Sequence, residues 1–405
     1  MNIAIVRRMY SLRLGGAERQ CVNLARQLAA LGHTVTIIAE RMDDELRGEV
    51  PFLPVPVNQF SSWTKNRSFA RNAAAILARE PFDISYGLSR TAGVDIYRLT
   101  ERLHIHWMTI RYPSRLARNI ERLNPRHRAI LELDRQIFTS PTVRRLVTQS
   151  SLDKRLLQTY YQVPDGRIAV INNGVDIEAF RPPDAAGGDA ADLDALRAEW
   201  SIAVGQPLLL FASTMDFEGK GLRWILHALR DLKRADARLL ILGEGPQRRF
   251  ESIARGLGVA ERIAFAGSRS DIQRFYRAAD LFLMPTAYEP FPNVNLEAMA
   301  CGTPVLTTRT AGGADIIDPG TPGRPGTPGR PERPDSPECT GYLIDRSDDY
   351  AAMTRHIDHH LSLSAEQRAE MSRRCRAKAM GLSVEANARR VLELFEQVLR
   401  EKHRV

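Results

Sequence analysis

The sequence predicts an α/β protein built of two doubly wound domains, each a parallel sheet covered by helices. Three observations carry this. The chain has 405 residues, more than one ordinary hydrophobic core holds. A strand, a glycine loop, a helix and a second strand open it, and the same alternation restarts after residue 200. Parallel strands need a crossover, so this alternation implies parallel sheets with helices on their faces.

The first unit runs through "NIAIV", apolar and β-branched, to Gly15 and Gly16. A helix follows, with apolar residues at Val22, Leu24, Ala25, Leu28 and Leu31, stops at Gly32, and gives way to the strand "TVTIIAE". In the second half "QPLLLFAST", "ARLLILGEGP", "RIAFAGS" and "LFLMPT" read as strands, separated by the helices "GLRWILHALRDLKR", "FESIARGLGV" and "DIQRFYRAAD". The stretch 181–196, "RPPDAAGGDAADLDAL", reads as a linker. Residues 319–330 repeat "PGTPGR", and the proline bias continues to Pro337. Such a segment cannot bury a core, so a mobile surface insertion without catalytic role is expected over 319–338.

Hydrophobic residues make up 43% and charged residues 26% of the chain, the balance of a soluble globular protein. No apolar run is long enough to span a bilayer, and the start lacks a signal-peptide core, so a cytoplasmic protein is expected. Cys21, Cys301, Cys339 and Cys375 are scattered with no C-x-x-C pair, which points to free thiols and away from structural zinc. The net charge of +9 calls for an anionic partner. Its surplus lies between Arg98 and Arg167. The stretch 111–135, read as helical, carries Arg111, Arg115, Arg118, Arg122, Arg126, Arg128 and Arg135.

The densest chemistry is in "EPFPNVNLEAMACGTPVL", residues 289–306. Glu289 precedes a helix start at Asn293 to Leu296, and Glu297 lies one turn inside. The N–H groups of Val294, Asn295 and Leu296 would favour a phosphate there. Glu297 could accept from ribose hydroxyls, and Glu289 from those of a second ring. Lys220, in "DFEGKGLRW", would place a cation beside the phosphate. Two surface glutamates near a helix start would by themselves be ordinary. With Lys220, Gly243, Gly245, Gly15 and Gly16 each at a strand end, the pattern reads as a sugar-nucleotide site.

These residues resemble the E-x7-E signature of the family 4 glycosyltransferases. "GGAER" is similar to that family's first glycine loop, "LGEGP" to a loop of its C-terminal domain, and "FAGS", ending at Ser268, to the loop that meets the base. The resemblance implies the GT-B fold, two Rossmann-like domains facing across a cleft, and a reaction that retains anomeric configuration. It implies an acceptor-binding domain over 1–172, a nucleotide-sugar domain over 173–383, and a closing helix over 384–405 that packs back on the first domain. "NRSFARNAA" and "YGLSRTAGVDIYRLTE" resemble, more narrowly, the family members that glucosylate the heptose of a bacterial lipopolysaccharide core.

Carried over by position, Glu289 resembles the donor-sugar glutamate, Glu297 the ribose ligand and Lys220 the diphosphate lysine. Phe291 and Asn293 lie in the bridge between the two glutamates. Gly15 and Gly16 resemble the loop that the phosphate and acceptor approach, and Glu101 an acidic residue facing the acceptor. Two departures stand out. "STMDFEGK" lacks the usual arginine, for which Arg223 is a substitute one turn on, and Gln20 stands where the narrower group has an acid. The donor expected is UDP-glucose. The acceptor expected is a lipid-linked anionic glycan at the inner membrane surface, with no cofactor and no metal, Lys220 and the helix start doing the metal's electrostatic work.

Other readings remain beside this one. Asp192-Leu193-Asp194 has the metal-binding Asp-x-Asp form but reads as a helix start. His356, His359 and His360 could share a helix face, read as solvent-exposed, and His104 and His106 read as packed histidines following a strand. A family member acting on O-antigen, capsule or another glycolipid is the alternative. A basic nucleic-acid- or membrane-binding scaffold would leave Glu289, Glu297 and Lys220 without a purpose. A nicotinamide enzyme lacks its G-x-G-x-x-G after the first strand.

Overall fold

The structure, a computed structural model, describes residues 1–184, 188–319 and 338–404. The chain divides into two compact units, Met1–Gly174 with Val384–Val405, and Val175–Ser383. The repeat segment from 320 to 337 lies outside the described residues, and the expectation of a mobile insertion lies there with it.

The first unit contains strands β1 (Asn2–Val6), β2 (Met9–Tyr10), β3 (Thr34–Ala39), β4 (Arg41–Met42), β5 (Phe52–Pro54), β6 (Ile84–Gly87), β7 (Ile96–Arg98), β8 (Arg145–Thr148) and β9 (Ile168–Val170). Its helices are α1 (Gly16–Ala30), α2 (Ser62–Leu77), α3 (His104–Arg111), α4 (Arg115–Glu121), α5 (Pro125–Thr139) and α6 (Ser151–Tyr161). Among the described residues a seven-stranded sheet forms in the order β5-β3-β1-β6-β7-β8-β9, with β2 and β4 paired apart. The second unit contains α7 (Asp189–Glu199), β10 (Leu208–Ala212), α8 (Leu222–Asp231), β11 (Arg238–Leu242), α9 (Gln247–Gly256), β12 (Ile263–Gly267), α10 (Ile272–Ala278), β13 (Leu281–Met284), α11 (Asn293–Ala300), β14 (Val305–Thr308), β15 (Gly341–Ile344), α12 (Tyr350–Ser362) and α13 (Ala365–Met380). Its six-stranded sheet runs β12-β11-β10-β13-β14-β15. Both sheets are parallel throughout.

Strands covered on both faces must be apolar on both, and β10, "LLLFA", is buried at every residue. Helix α8 buries Leu222, Ile225, Leu226 and Leu229, a stripe at helical spacing. The closing helix α14 (Val384–Lys402) belongs to the first unit, where Phe395 meets the Tyr86 ring edge-on at 5.2 Å. In each sheet the chain works outward on one side of the first strand, then crosses to the other. The order thus reverses between β1 and β6 in the first unit and between β10 and β13 in the second, and ligands bind at the carboxyl ends of such strands.

Three expectations are corrected. The linker ends early: from Asp189 the Ala/Leu/Asp run is helix α7, and Asp192 holds Arg274 through two bonds of 2.8 and 2.5 Å. The helical stretch 111–135 breaks at Pro113 and Pro125. Pro125 starts α5 with the Asn124 side chain accepting from the Arg126 N–H at 3.0 Å. The α12 histidines are not a solvent-exposed face. They surround Tyr342, with ring centroids at 5.3, 6.1 and 5.7 Å, and His360 is buried.

His360 bonds the Tyr342 hydroxyl at 3.1 Å and the Asp280 carbonyl oxygen at 2.9 Å. Burial pushes its imidazole down from 6.5 to about 4, against the pull of that carbonyl. A depressed histidine favours the fold fully above its unfolded value and loses that contribution as pH falls through the folded one, here from 6.5 towards 4. His360→Gln is expected to remove ~3 kcal/mol of acid sensitivity from that window, read by urea unfolding at several pH values. An unchanged acid limb would show that His360 does not set it.

Candidate functional site

In the second unit the candidate site lies at the ends of β10, β11, β12 and β13. Loop 213–221 is pressed into place by close backbone contacts. Gly243 (φ +107°) leaves room where a Cβ would sit 1.7 Å from the Ser213 carbonyl oxygen, and its N–H donates to the Gly267 carbonyl at 2.7 Å. Gly245 lies against the Phe217 ring, 2.6 Å from where its own Cβ would be. Both glycines are therefore required by packing of the chain on itself. The Thr286 hydroxyl and the Ala287 N–H both donate to the Gly219 carbonyl, at 3.1 and 3.2 Å. This ties the loop to the end of β13.

That fastening brings Lys220 to Glu289, with Nζ on Oε2 at 2.5 Å and both side chains mostly buried. The Glu289 carbonyl accepts from the Gly312 N–H at 2.8 Å. Glu297, inside α11, accepts from the Tyr276 hydroxyl at 3.3 Å. Tyr276 is fully buried. Burial first, and the Glu297 charge second, push its phenol well above the ordinary value, so it stays a donor. Ser268 follows Gly267 (φ +67°) at the end of β12.

The start of α11 differs from expectation. Pro292 is its N-cap and carries no N–H, while the Asn295 N–H donates to the Pro292 carbonyl at 3.0 Å. Leu296, the fourth helical residue, is where the regular ladder begins. Of the three N–H groups expected to face an anion, Val294 alone stands at a position with no intrahelical partner. The Phe291 and Leu296 side chains belong to the hydrophobic core. Arg223 does not reinforce Lys220: Glu218 holds it at 2.8 Å and also takes Arg249 at 2.9 Å.

In the first unit Gly15 caps α1 in an ordinary extended conformation, and a Cβ there would meet nothing closer than Glu18 Oε2 at 3.4 Å. Neither backbone angle nor packing within the chain demands glycine there. Gly16 begins the helix. Glu18, in its first turn, holds the buried Arg7 at 2.5 Å, and Arg7 also donates to the Leu88 carbonyl at 2.7 Å and the Thr100 hydroxyl at 2.9 Å. Glu101 pairs with Arg90, which holds its carboxyl below the usual range, and Arg90 also binds the buried Asp134 at 2.6 Å. Arg8, Asn66, Ser89, Arg90 and Glu101 line one hollow at the end of β1 and β6. Gln20 donates to the Gly174 carbonyl at 2.5 Å, so the amide standing in place of an acid has its own structural use. His104 opens α3 and bonds His127 at 2.9 Å, a packed histidine pushed down to about 3 by burial.

Sequence reasoning missed Arg7, Arg90, Tyr276 and the side chain of Asn295, of which it used only the backbone N–H. Arg7, directly after β1, and Arg90, three residues after β6, carried a faint signal as basic residues following buried strands; Tyr276 and the Asn295 side chain carried none. Asn295 is 0% exposed, and neither its Oδ1 nor its Nδ2 has a partner among the described residues. Among those residues no group of three His, Cys, Asp or Glu side chains could hold a metal ion.

Comparison with known proteins shows the family. The Glycosyltransferase Family 4 profile matches residues 14–179 and the Glycosyl transferases group 1 profile residues 206–361. A probable transglycosylase of Burkholderia thailandensis is 30% identical over 318 residues, 75% of this chain and 77% of that one. The chain belongs to the family 4 glycosyltransferases. The lipopolysaccharide glucosyltransferase WaaG of Escherichia coli K12 is 26% identical to this glycosyltransferase over 311 residues, 75% of this chain and 79% of that one. The crystal structure of WaaG superposes with a TM-score of 0.77 at 22% identity, covering 97% and 99% of the two chains. Anabaena HepE in complex with UDP-glucose gives 0.68 at 16% identity, covering 98% and 99%. The fold is GT-B.

An unpartnered buried amide costs stability that an apolar side chain of similar size does not. Asn295→Leu is therefore expected to leave unfolding stability unchanged or raise it by up to about 1 kcal/mol in denaturant titration. A clear loss would mean that the amide is already satisfied.

Proposed function

We propose that this glycosyltransferase moves glucose from UDP-glucose to a heptose of a lipopolysaccharide core, retaining the anomeric configuration. The observation that carries the reading is the Lys220–Glu289 pair at the start of α11, on the switch point of the second sheet. The cation and the helix start supply positive charge for a diphosphate, and the carboxylate beside them can accept from sugar hydroxyls. Without ligand the two neutralise each other. Donor binding would exchange partners, Lys220 turning to the diphosphate and Glu289 to the sugar. Glu297, steadied by Tyr276, would take the ribose, and the Asn295 amide, which has no partner among the described residues, would gain one. Support for the nucleotide comes from the UDP-glucose complex of HepE, and for the acceptor from the activity named for WaaG.

In this reading the C1–O bond breaks as the UDP diphosphate leaves. Lys220 and the α11 start offset the charge that grows on it. The acceptor hydroxyl attacks C1 from the face the diphosphate leaves, and a diphosphate oxygen takes its proton. Glu101, with Arg90, would orient the acceptor, and Gly15, with no demand from its own chain, leaves space for its approach. The charge stabilisation comes from this chain's groups, so the reaction is proposed to proceed without a metal.

The acceptor's lipid would bring the first unit to a membrane surface. No described helix is long and apolar enough to cross one. Helix α4 instead buries no residue, and with the turn after it exposes Leu116 (71%), Ile120 (59%) and Leu123 (73%), among Arg115, Arg122 and, at the start of α5, Arg126. An apolar stripe flanked by arginines suits the interface of an anionic bilayer.

Hydrolysis and binding of UDP-glucose, UDP-galactose, UDP-N-acetylglucosamine and UDP-glucuronate, with and without EDTA, tests the donor reading. Selective, EDTA-insensitive use of UDP-glucose is expected; preference for another sugar would overturn the donor assignment. Glu289→Ala should lower turnover ~100-fold while UDP affinity changes little, and unchanged turnover would remove Glu289 from the sugar site. Serine at 116, 120 and 123 together should weaken co-sedimentation with phosphatidylglycerol vesicles by about tenfold or more. Undiminished sedimentation would place the membrane contact elsewhere.

A further inference from the structure

The outer face of α2 carries chemistry that the transfer reaction leaves unused. Trp63, Arg67 and Arg71 stand four residues apart and so form one stripe along the helix. Phe69 and Ala73, on another side of the helix, are buried, and the buried Ala70 lies at the base of the stripe. Together with Asn58, Thr64 and Gln136 of α5 the stripe lines a groove with a cavity volume of about 500 Å³, within the range of ligand sites. Trp63 is 36% exposed, and its indole N–H makes no hydrogen bond to the described protein. Neither Arg67 nor Arg71 is in an ion pair among the described residues. The carboxylate whose charge Arg67 feels, Glu132, is taken by Arg135 at 3.0 Å and Gln136 at 2.6 Å. Arg71 reaches only as far as the Asn72 amide oxygen, at 3.3 Å.

Two guanidinium groups a turn apart without carboxylates are an anion site in waiting, and their planar donors match phosphate oxygens two at a time. An indole beside them offers a flat apolar face with a polar edge. The Thr64 hydroxyl is spent on Ser61 in the cap of α2, but the Asn58 Nδ2 and the Gln136 Oε1, a donor and an acceptor as sugar hydroxyls require, make no hydrogen bond among the described residues. We propose that this groove is a subsite for a phosphorylated saccharide, with a sugar ring on Trp63 and its phosphate between Arg67 and Arg71. The assignment rests on the reading of the acceptor as an anionic glycan and extends it. Asn66, the residue before Arg67, lines the hollow that holds Glu101 and accepts from Arg8 at 3.4 Å. A glycan long enough to leave that hollow along α2 therefore meets the groove. The groove is recessed and mixed in polarity, whereas a bilayer would be met by a projecting apolar stripe such as that of α4.

The test titrates the tryptophan fluorescence of the full chain with a delipidated, phosphorylated bacterial core oligosaccharide. The same glycan after hydrofluoric-acid dephosphorylation, inorganic phosphate, and phosphatidylglycerol vesicles serve as the other probes. The phosphorylated glycan should give a saturable change that is absent in Trp63→Phe. Binding should weaken by about tenfold or more on dephosphorylation and in the Arg67→Ala/Arg71→Ala double variant, the weight of one lost charge-assisted contact. In the transfer assay the double variant should raise the acceptor KM by a similar factor, with UDP-sugar hydrolysis in the absence of acceptor unchanged. Equal binding by the double variant, or an equal response to phosphate or vesicles alone, would overturn the subsite. Absence of any transfer by the unaltered chain would count against the functional reading, while intact transfer with an unmoved acceptor KM would count against the groove alone.

Discussion

A parallel strand can pair with the next only if the chain crosses back over the sheet, so every strand-to-helix loop of such a sheet leaves from the same edge. In this protein that constraint decides where chemistry can sit. Both sheets are parallel, and both reverse their order beside the first strand, between β1 and β6 and between β10 and β13. At each reversal neighbouring loops diverge and leave an opening. Arg7, Arg8 and Ser89 gather at the first, and Lys220 and Glu289 at the second. The buried apolar strands are the cost of holding polar side chains from distant parts of the sequence, such as residues 220 and 289, in one place.

Charge at both openings is held in pairs. Lys220 with Glu289, Arg7 with Glu18, and Arg90 with Glu101 and Asp134 each keep a poorly hydrated ion next to its opposite. Removing one member of a buried pair leaves the other uncompensated, at about 3–5 kcal/mol. Such pairs hold the side chains in place, and in the proposed donor binding an incoming anion would take over the cation. The Arg90–Asp134 pair is enclosed, with Asp134 fully buried, while Glu101, about half exposed, is set against it from the open side. The Lys220–Glu289 pair is partly open and is the one suited to exchanging partners.

The first unit also separates its surfaces by kind. Helix α4 projects leucine and isoleucine among arginines, while α2 sets a tryptophan and two arginines into a groove. The breaks at Pro113 and Pro125 make this possible. A single helix over 111–135 would have lined Arg111, Arg115, Arg118, Arg122 and Arg126 along one face at three- and four-residue spacing, whereas the breaks let α4 expose its apolar stripe and leave α5 free to bury Ala129, Ile130 and Leu133.

Much of the fold and the core of the second site were legible in the sequence, because both rest on local pattern. Alternating apolar strands and amphipathic helices demand parallel sheets, and Glu289, Glu297 and Lys220 announce themselves as charged residues at strand ends and a helix start. What could not be read was decided by contacts between residues far apart in the chain. Gly243 and Gly245 looked like a ligand loop but are required by Ser213 and Phe217. Arg223 looked like a second cation for Lys220, yet Glu218, five residues before it, holds it. His360 looked solvent-exposed until Tyr342 and Asp280 enclosed it. Asn295 looked like one backbone donor among three; the proline cap took its N–H, and its amide, packed close to Gly313, is buried without a partner among the described residues. Local pattern sets which elements form, since periodicity and capping act within a few residues. Which polar groups meet is set by how sheets and loops pack, and that information is distributed over the whole chain.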